Sequence, residues 1–308
     1  MCPYRRSLWL DEVRQTTVSI QDYRTLLTWR EGPRGLLASI LTRSKNLCLD
    51  APLVALVWQD FLARIWEAPI QPIHRVVLAL ITWLAYMGDR ILDGPRQGST
   101  RSGSDRHCFV WRHRQALTIT WTLVALLGMG LALWGLPRGD LWPGLLFLAS
   151  LVLYFLLARQ WPRQFRGILP REILVGFFFS IACSLFIFSN LTELPPKAIL
   201  GSLAFALLCS LDCWAISCAD RERDLQQGEW NLVTTYRWAR MAFGPATLLL
   251  SSAILAASFL LGDPTSTLFR ALAFSGLLLY LLNRSLPEKL ALYADLTLLA
   301  PLVFLLLT

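Results

Sequence analysis

ALTITWTLVALLGMGLALWGL (116–136) and LWPGLLFLASLVLYFLLA (141–158) contain no Asp, Glu, Lys or Arg, and only PRGD (137–140) separates them. The first stretch has 21 residues, which as a helix reach about 31 Å, enough to cross a hydrocarbon core of roughly 30 Å. Similar runs recur on both sides. Nine candidate spans follow: 49–66, 73–93, 116–136, 141–158, 173–190, 198–219, 241–262, 267–283 and 290–307. The composition agrees, since 55% of the 308 residues are hydrophobic, 16% are charged and 13 are tryptophan. An ordinary soluble domain carries roughly 25% charged residues, so this chain has too few to cover a water-facing surface. The expected fold is an all-α, polytopic transmembrane bundle of about nine helices, in one domain over 47–308. Residues 1–46 form a polar, basic segment, cytoplasmic or lying at the interface as an amphipathic helix. The apolar run after Arg5 and Arg6 is only Leu8, Trp9 and Leu10, shorter than the apolar core of a signal peptide.

The formal charge of +8 is a matter of topology before it is one of partners. When the 29 Lys and Arg residues are sorted by loop, 23 fall on the face that holds the N-terminal segment and five on the other, with Arg90 at a helix end. The positive-inside bias makes the basic face cytoplasmic, with the N-terminus inside and the C-terminus outside. That bias already accounts for the basic balance, and no nucleic-acid partner is expected. The seven cysteines include no CxxC pair and sit mostly in apolar runs, where a thiol acts as a small hydrophobe. With three histidines, two of them in an arginine-rich loop, a histidine metal site is not expected.

Two places break the apolar pattern in the same way. AYMGDRILDG ends the second span with Asp89 and Asp93, and SCADRERDLQQG ends the sixth with Asp220 and Asp224. Residues four apart share one helix face, so each motif stacks two carboxylates one turn apart. A single acidic pair interleaved with arginine is ordinarily a solvated helix end or a salt-bridge face. Two copies of DRxxD on the same side of the membrane are harder to obtain by accident. Four facing carboxylates would repel one another unless a cation lay between them. Oxygen ligands without nearby histidine or thiolate favour Mg²⁺, which keeps coordination positions open for phosphate oxygens. Arg90 and Arg221, each just after the first aspartate of its pair, can add charge-assisted hydrogen bonds to those phosphates. Asp60 and Asp295 are further acids inside spans, where each is functional or tucked against a polar neighbour.

At these residues the chain resembles the UbiA superfamily of intramembrane prenyltransferases, whose members have nine helices and two aspartate-rich motifs that bind Mg²⁺ and an isoprenyl diphosphate. DRILD resembles the end of the family's first motif, NxxxDxxxD, with Ala85 at the asparagine position. DRERDLQQG resembles the second, with Asp220, Asp224 and Gly228. LCLDAP retains Asp50 and Pro52 of an RxDKP entry, with Cys48 and Ala51 at its basic positions. YFLLAR, with Tyr154 and Arg159, and LPREILVG are similar to the YPxxKR and PxxxLG region; Asp212 is similar to an additional acid that some members carry. The RTxxRP segment that follows the first motif in the family is replaced here by GPRQGSTRSGSDRHCFVWRHR. The resemblance implies Mg²⁺ held by Asp89, Asp93, Asp220 and Asp224, which are also the catalytic set. It implies substrate contacts from Arg90, Arg221, Arg159, Tyr154, Asp212 and Asp50, with Asp212 or Tyr154 orienting the acceptor or stabilising the allylic cation. The expected partners are an isoprenyl diphosphate, a lipophilic acceptor and membrane lipid. Two rivals stand beside this expectation. One is a non-catalytic or transport protein that binds a polyprenyl phosphate. The other is a CDP-alcohol phosphotransferase, whose DxxDG…AR motif DRILDGPRQ does not reproduce.

Overall fold

A computed structural model describes residues 44–97, 109–110, 112–160, 170–228 and 230–307. Residues 1–43 and the arginine-bearing stretches 98–108 and 161–169 lie outside the described residues. The helical body begins at Lys45. Its elements are α1 (Asp50–Ile65), α2 (Pro72–Gln97), α3 (Arg114–Gly135), α4 (Arg138–Gln160), α5 (Arg171–Ser189), α6 (Pro196–Gln227), a single turn α7 (Leu232–Thr235), α8 (Arg237–Ser258), α9 (Thr265–Ser285), α10 (Leu290–Thr297) and α11 (Pro301–Leu307). No strand occurs among the described residues.

Among the described residues six helices, α3, α4, α5, α6, α8 and α9, are long and apolar enough to cross a membrane. The other three expected spans differ for local reasons. α1 has only 16 residues. α2 has 26 but carries His74, Arg75, Asp89 and Arg90 along its length. The last apolar run is divided at residues 298–300, just before Pro301, into α10 and α11. Large apolar side chains point outward, among them Leu126 and Trp142, and Trp134 is 96% exposed. Such a surface is unfavourable in water and ordinary against lipid.

The centre is built on α1, α5, α6 and α9. Trp58 of α1 is fully buried, stacks on Phe205 of α6 at 4.1 Å, and donates its indole N–H to the Leu298 carbonyl at 2.8 Å. That bond satisfies a carbonyl at the division between α10 and α11. α5 and α6 pack along each other; a Cβ on Gly176 would stand 2.7 Å from the Ala206 carbonyl oxygen, so glycine permits the approach. The Ser180 hydroxyl donates to the Ser202 carbonyl at 2.8 Å, and Ser184 and Ser202 pair at 3.1 Å, polar links typical of helix contacts in lipid.

The two acids in doubt are both engaged. Asp60 accepts from Arg75 at 2.6 Å, joining α1 to α2, and Asp295 accepts from Lys45 at 2.6 Å. A third polar knot ties the first turns of α2 and α4 to the end of α5. His74 Nε2 lies 3.0 Å from Asp140 Oδ2, while Asn190 donates to Asp140 Oδ1 at 3.0 Å and the Ser189 hydroxyl donates to the same oxygen. His74 and Asp140 are both buried. Removing one side of a buried pair leaves the rest uncompensated, so Asp140→Ala is expected to destabilise the protein by about 3–5 kcal/mol, read as a lowered thermal midpoint in detergent. Asp140→Asn, which keeps an acceptor, is expected to lose less.

Candidate functional site

α2 and α6 place their aspartates at the same end of the molecule as the first turn of α5, opposite the His74–Asp140 knot. Here a cavity of about 330 Å³ is lined by seven carboxylates, Asp50, Asp89, Glu172, Asp212, Asp220, Asp224 and Asp295, and by two guanidiniums, Arg90 and Arg171. Tyr154 from α4, Trp230 and Asn231 from the turn after α6, and Thr82, Tyr86, Cys213 and Ser217 add further polar groups. Six side chains, Ile81, Ala85, Phe147, Leu151, Phe155 and Ala182, also line a second, apolar hollow of about 340 Å³ between α2, α3, α4 and α5. The hollow runs on to Leu136 and Leu141, towards the opposite end of these helices. A charged head region thus leads directly into an apolar groove.

Local structure explains how the second motif is presented. α6 continues through Asp220 and Asp224 and stops at Gly228, whose φ of +66° favours glycine. The chain then turns back, and Asn231 fixes it. Its side-chain oxygen accepts from the Val233 and Thr234 N–H groups at 3.0 and 2.8 Å, the Thr234 hydroxyl accepts from the Asn231 N–H at 2.9 Å, and the Asn231 amide donates to Asp224 Oδ2 at 2.6 Å. Glu172, buried in the first turn of α5, holds the same turn through Oε1, which accepts from Ser217 at 2.8 Å and from the Leu232 N–H at 2.9 Å. Arg171 donates to Asp89 and lies beside the Tyr154 hydroxyl. Arg223 donates to Asp220 at 2.9 Å, and Arg90 donates to the Lys45 carbonyl at 2.6 Å.

Asp50, Asp89, Arg90, Tyr154, Asp212, Asp220, Asp224 and Asp295, all singled out in the sequence, therefore line one cavity. Arg221 is not among the lining residues. Asp93 and Arg159 lie on α2 and α4, but their side chains fall outside the described part. The sequence did not point to Arg171, Glu172 or Asn231 on this wall, nor to Lys45, which stands behind it bonded to Asp295. A signal for one existed, because Asn231 with Thr234 three residues on is a capping-box pattern.

The carboxylates of the cavity offer hard oxygen donors of the kind a divalent cation takes, with Cys213 the one thiol among the lining residues. Among the described residues no group of three or more His, Cys, Asp or Glu converges as ligands. Mg²⁺ does not need one, since it is commonly held by one or two carboxylates while water and phosphate supply the remaining oxygens. The chain matches no family model, no curated protein and no solved structure.

Proposed function

We propose that this chain is a Mg²⁺-dependent intramembrane prenyltransferase, related to the UbiA superfamily, that moves an isoprenyl group from an allylic diphosphate to a lipophilic acceptor. One observation carries the reading: Asp89 of the first motif and Asp220 and Asp224 of the second line a single cavity that shares its wall with an apolar groove. A diphosphate at the charged end and an isoprenoid tail in the groove match this division of polarity. On this reading α1, α2 and the α10–α11 pair complete nine spans, and the basic loops, with both motifs, face the cytoplasm.

Seven carboxylates against two guanidiniums would repel a free diphosphate, so the donor enters as its metal complex. Asp89, Asp220 and Asp224, with Asp93, would hold Mg²⁺, which when bound neutralises charge on the departing diphosphate. Arg171 and Arg90 add hydrogen bonds to the same oxygens. The allylic C–O bond breaks with its electron pair leaving on diphosphate, the allylic carbon bonds the acceptor nucleophile, and the acceptor's proton passes to the released diphosphate. Apolar walls such as Phe147 and Phe155 keep water from the cation during this exchange.

A second reading, a binder of polyprenyl phosphates without turnover, draws on the engagement of Asp89 by Arg171 and of Asp220 by Arg223. Release of diphosphate decides between them. Purified protein in nanodiscs with geranylgeranyl diphosphate, Mg²⁺ and a membrane lipid extract is expected to release diphosphate and form a prenylated product, and EDTA is expected to stop both. Binding without release would establish the second reading. Labelling of single cysteines placed within 94–115, 159–172 and 220–240 is expected to occur from the cytoplasmic side only; any of them labelled from outside overturns the orientation.

A further inference from the structure

The seven carboxylates of the cavity are not equally engaged. At its inner end the buried Lys45 ammonium donates to Asp295 Oδ2 at 2.6 Å and lies 3.9 Å from Asp50 Oδ2, and Asp212 shares a side-chain hydrogen bond with Asp295. At the motifs Asp89 is met by Arg171, Asp220 by Arg223 and Asp224 by Asn231. Glu172, only 4% exposed, is engaged at one oxygen. Its Oε1 takes the Ser217 hydroxyl and the Leu232 N–H, whereas its Oε2 is buried with no hydrogen-bond partner. An orphaned buried carboxylate oxygen is costly. Protonation does not remove the cost, because it turns Oε2 into a donor that also lacks a partner. Nor does the clamp on the turn require a carboxylate. A glutamine would accept the same two bonds through its carbonyl oxygen and leave a neutral group, not an acid, beside them. An acid at this position therefore points to a cationic partner for Oε2.

The place of Glu172 says which cation. Ser217, Asp220 and Asp224 follow one another at spacings of three and four residues along α6 and so share a face. Glu172 bonds the first of these and the Leu232 N–H, next to the Asn231 that bonds the last. Glu172, Ser217, Asp220, Asp224 and Asn231 all line the cavity. The guanidiniums of Arg171 and Arg223 are taken up by Asp89 and Asp220. We propose that Glu172 is a further ligand of the divalent cation at the second motif, supplying Oε2 alongside an aspartate of that motif. One aspartate and Glu172 already make the two carboxylates that Mg²⁺ commonly takes. The proposal deepens the prenyl-transfer reading and rests on its metal site, not on turnover.

The test is metal binding by the full chain in phosphatidylcholine nanodiscs without isoprenoid, empty discs serving as the blank. Mn²⁺, which accepts the same hard oxygen ligands, is titrated in, its free form is counted by electron paramagnetic resonance, and Mg²⁺ is added to displace it. Glu172→Gln is expected to raise the Kd for Mn²⁺ by about tenfold or more, at least the loss seen when an outer-shell partner of a metal ligand is removed. Its thermal midpoint without metal is expected to match or exceed that of the unaltered protein, since the amide keeps both bonds of the clamp. Unchanged Mn²⁺ affinity in Glu172→Gln overturns the proposal. A lowered metal-free midpoint or failure to fold does so too, because the acid would then serve the turn. Mn²⁺ binding that depends on Glu172 in a protein that never releases diphosphate supports the proposal and overturns prenyl transfer. Absence of Mn²⁺ binding by the unaltered protein overturns both.

Discussion

Asp89→Asn and Asp220→Asn are each expected to lower diphosphate release by on the order of a hundredfold or more, the size of effect seen when one charge-stabilising group is removed from a reacting centre. The two residues are far apart in sequence and come from different helices, yet both line the same cavity. If their oxygens act on one diphosphate through bound Mg²⁺, either change disables the same charge clamp. Losses from groups acting as a unit do not add, so the double variant is expected to be scarcely slower than either single one. Asparagine is similar in size to aspartate and keeps one oxygen, so thermal midpoints are expected to stay close to that of the unaltered protein. Turnover numbers for the two singles and the double, with melting curves, check this. Unaltered turnover in either single variant, or a double loss equal to the product of the two, would show that the motifs do not share a site.

Gly144→Phe is expected to impair use of geranylgeranyl diphosphate while sparing geranyl diphosphate. Gly144 lines the apolar groove on α4, seven residues before Leu151, where groove and charged cavity share lining side chains. Along a helix that is about 10 Å, so the change lies well beyond the reacting carbon. A Cβ placed on Gly144 meets no atom closer than the 4.0 Å of Phe186, so the backbone accepts a side chain and the phenyl ring fills the groove. The expected signature is a fall in turnover of about tenfold or more with the longer donor, from the overpacking a long tail would then cause. Equal loss with both donors would place the tail elsewhere.

Much of this was legible in the chain itself. A run of 21 apolar residues without a charge, as at 116–136, has almost one physical solution, because lipid demands that the backbone bond to itself. The facing of Asp89, Asp220 and Asp224 was also readable, since helical periodicity and the positive-inside bias put them on one side. What periodicity cannot express is contact between distant elements. Arg171 looks like one of many loop arginines, and its engagement of Asp89 depends on how α5 enters beside α2. Lys45 was counted in the N-terminal segment, and its pairing with Asp295 depends on α10 returning beside α1. The division of the last span is local but subtle, since Pro301 permits several outcomes and the observed one places the Leu298 carbonyl where the Trp58 indole N–H donates to it.

The ion pair of Lys45 and Asp295 also sets an order of assembly. The two residues are 250 positions apart in the chain. At the usual synthesis rate of about 5–20 residues per second, roughly 12–50 s pass between the emergence of the first and of the second. For that interval a lysine destined for burial has to remain in the headgroup region or be held by something other than its final partner, because a lone charge in hydrocarbon is expensive. The inner end of the cavity therefore closes last, after every intervening helix has been made. A ribosome-arrested chain that lacks residues beyond 290 should retain both aspartate motifs yet leave Lys45 open to amine-reactive reagents, and release of the complete chain should protect it.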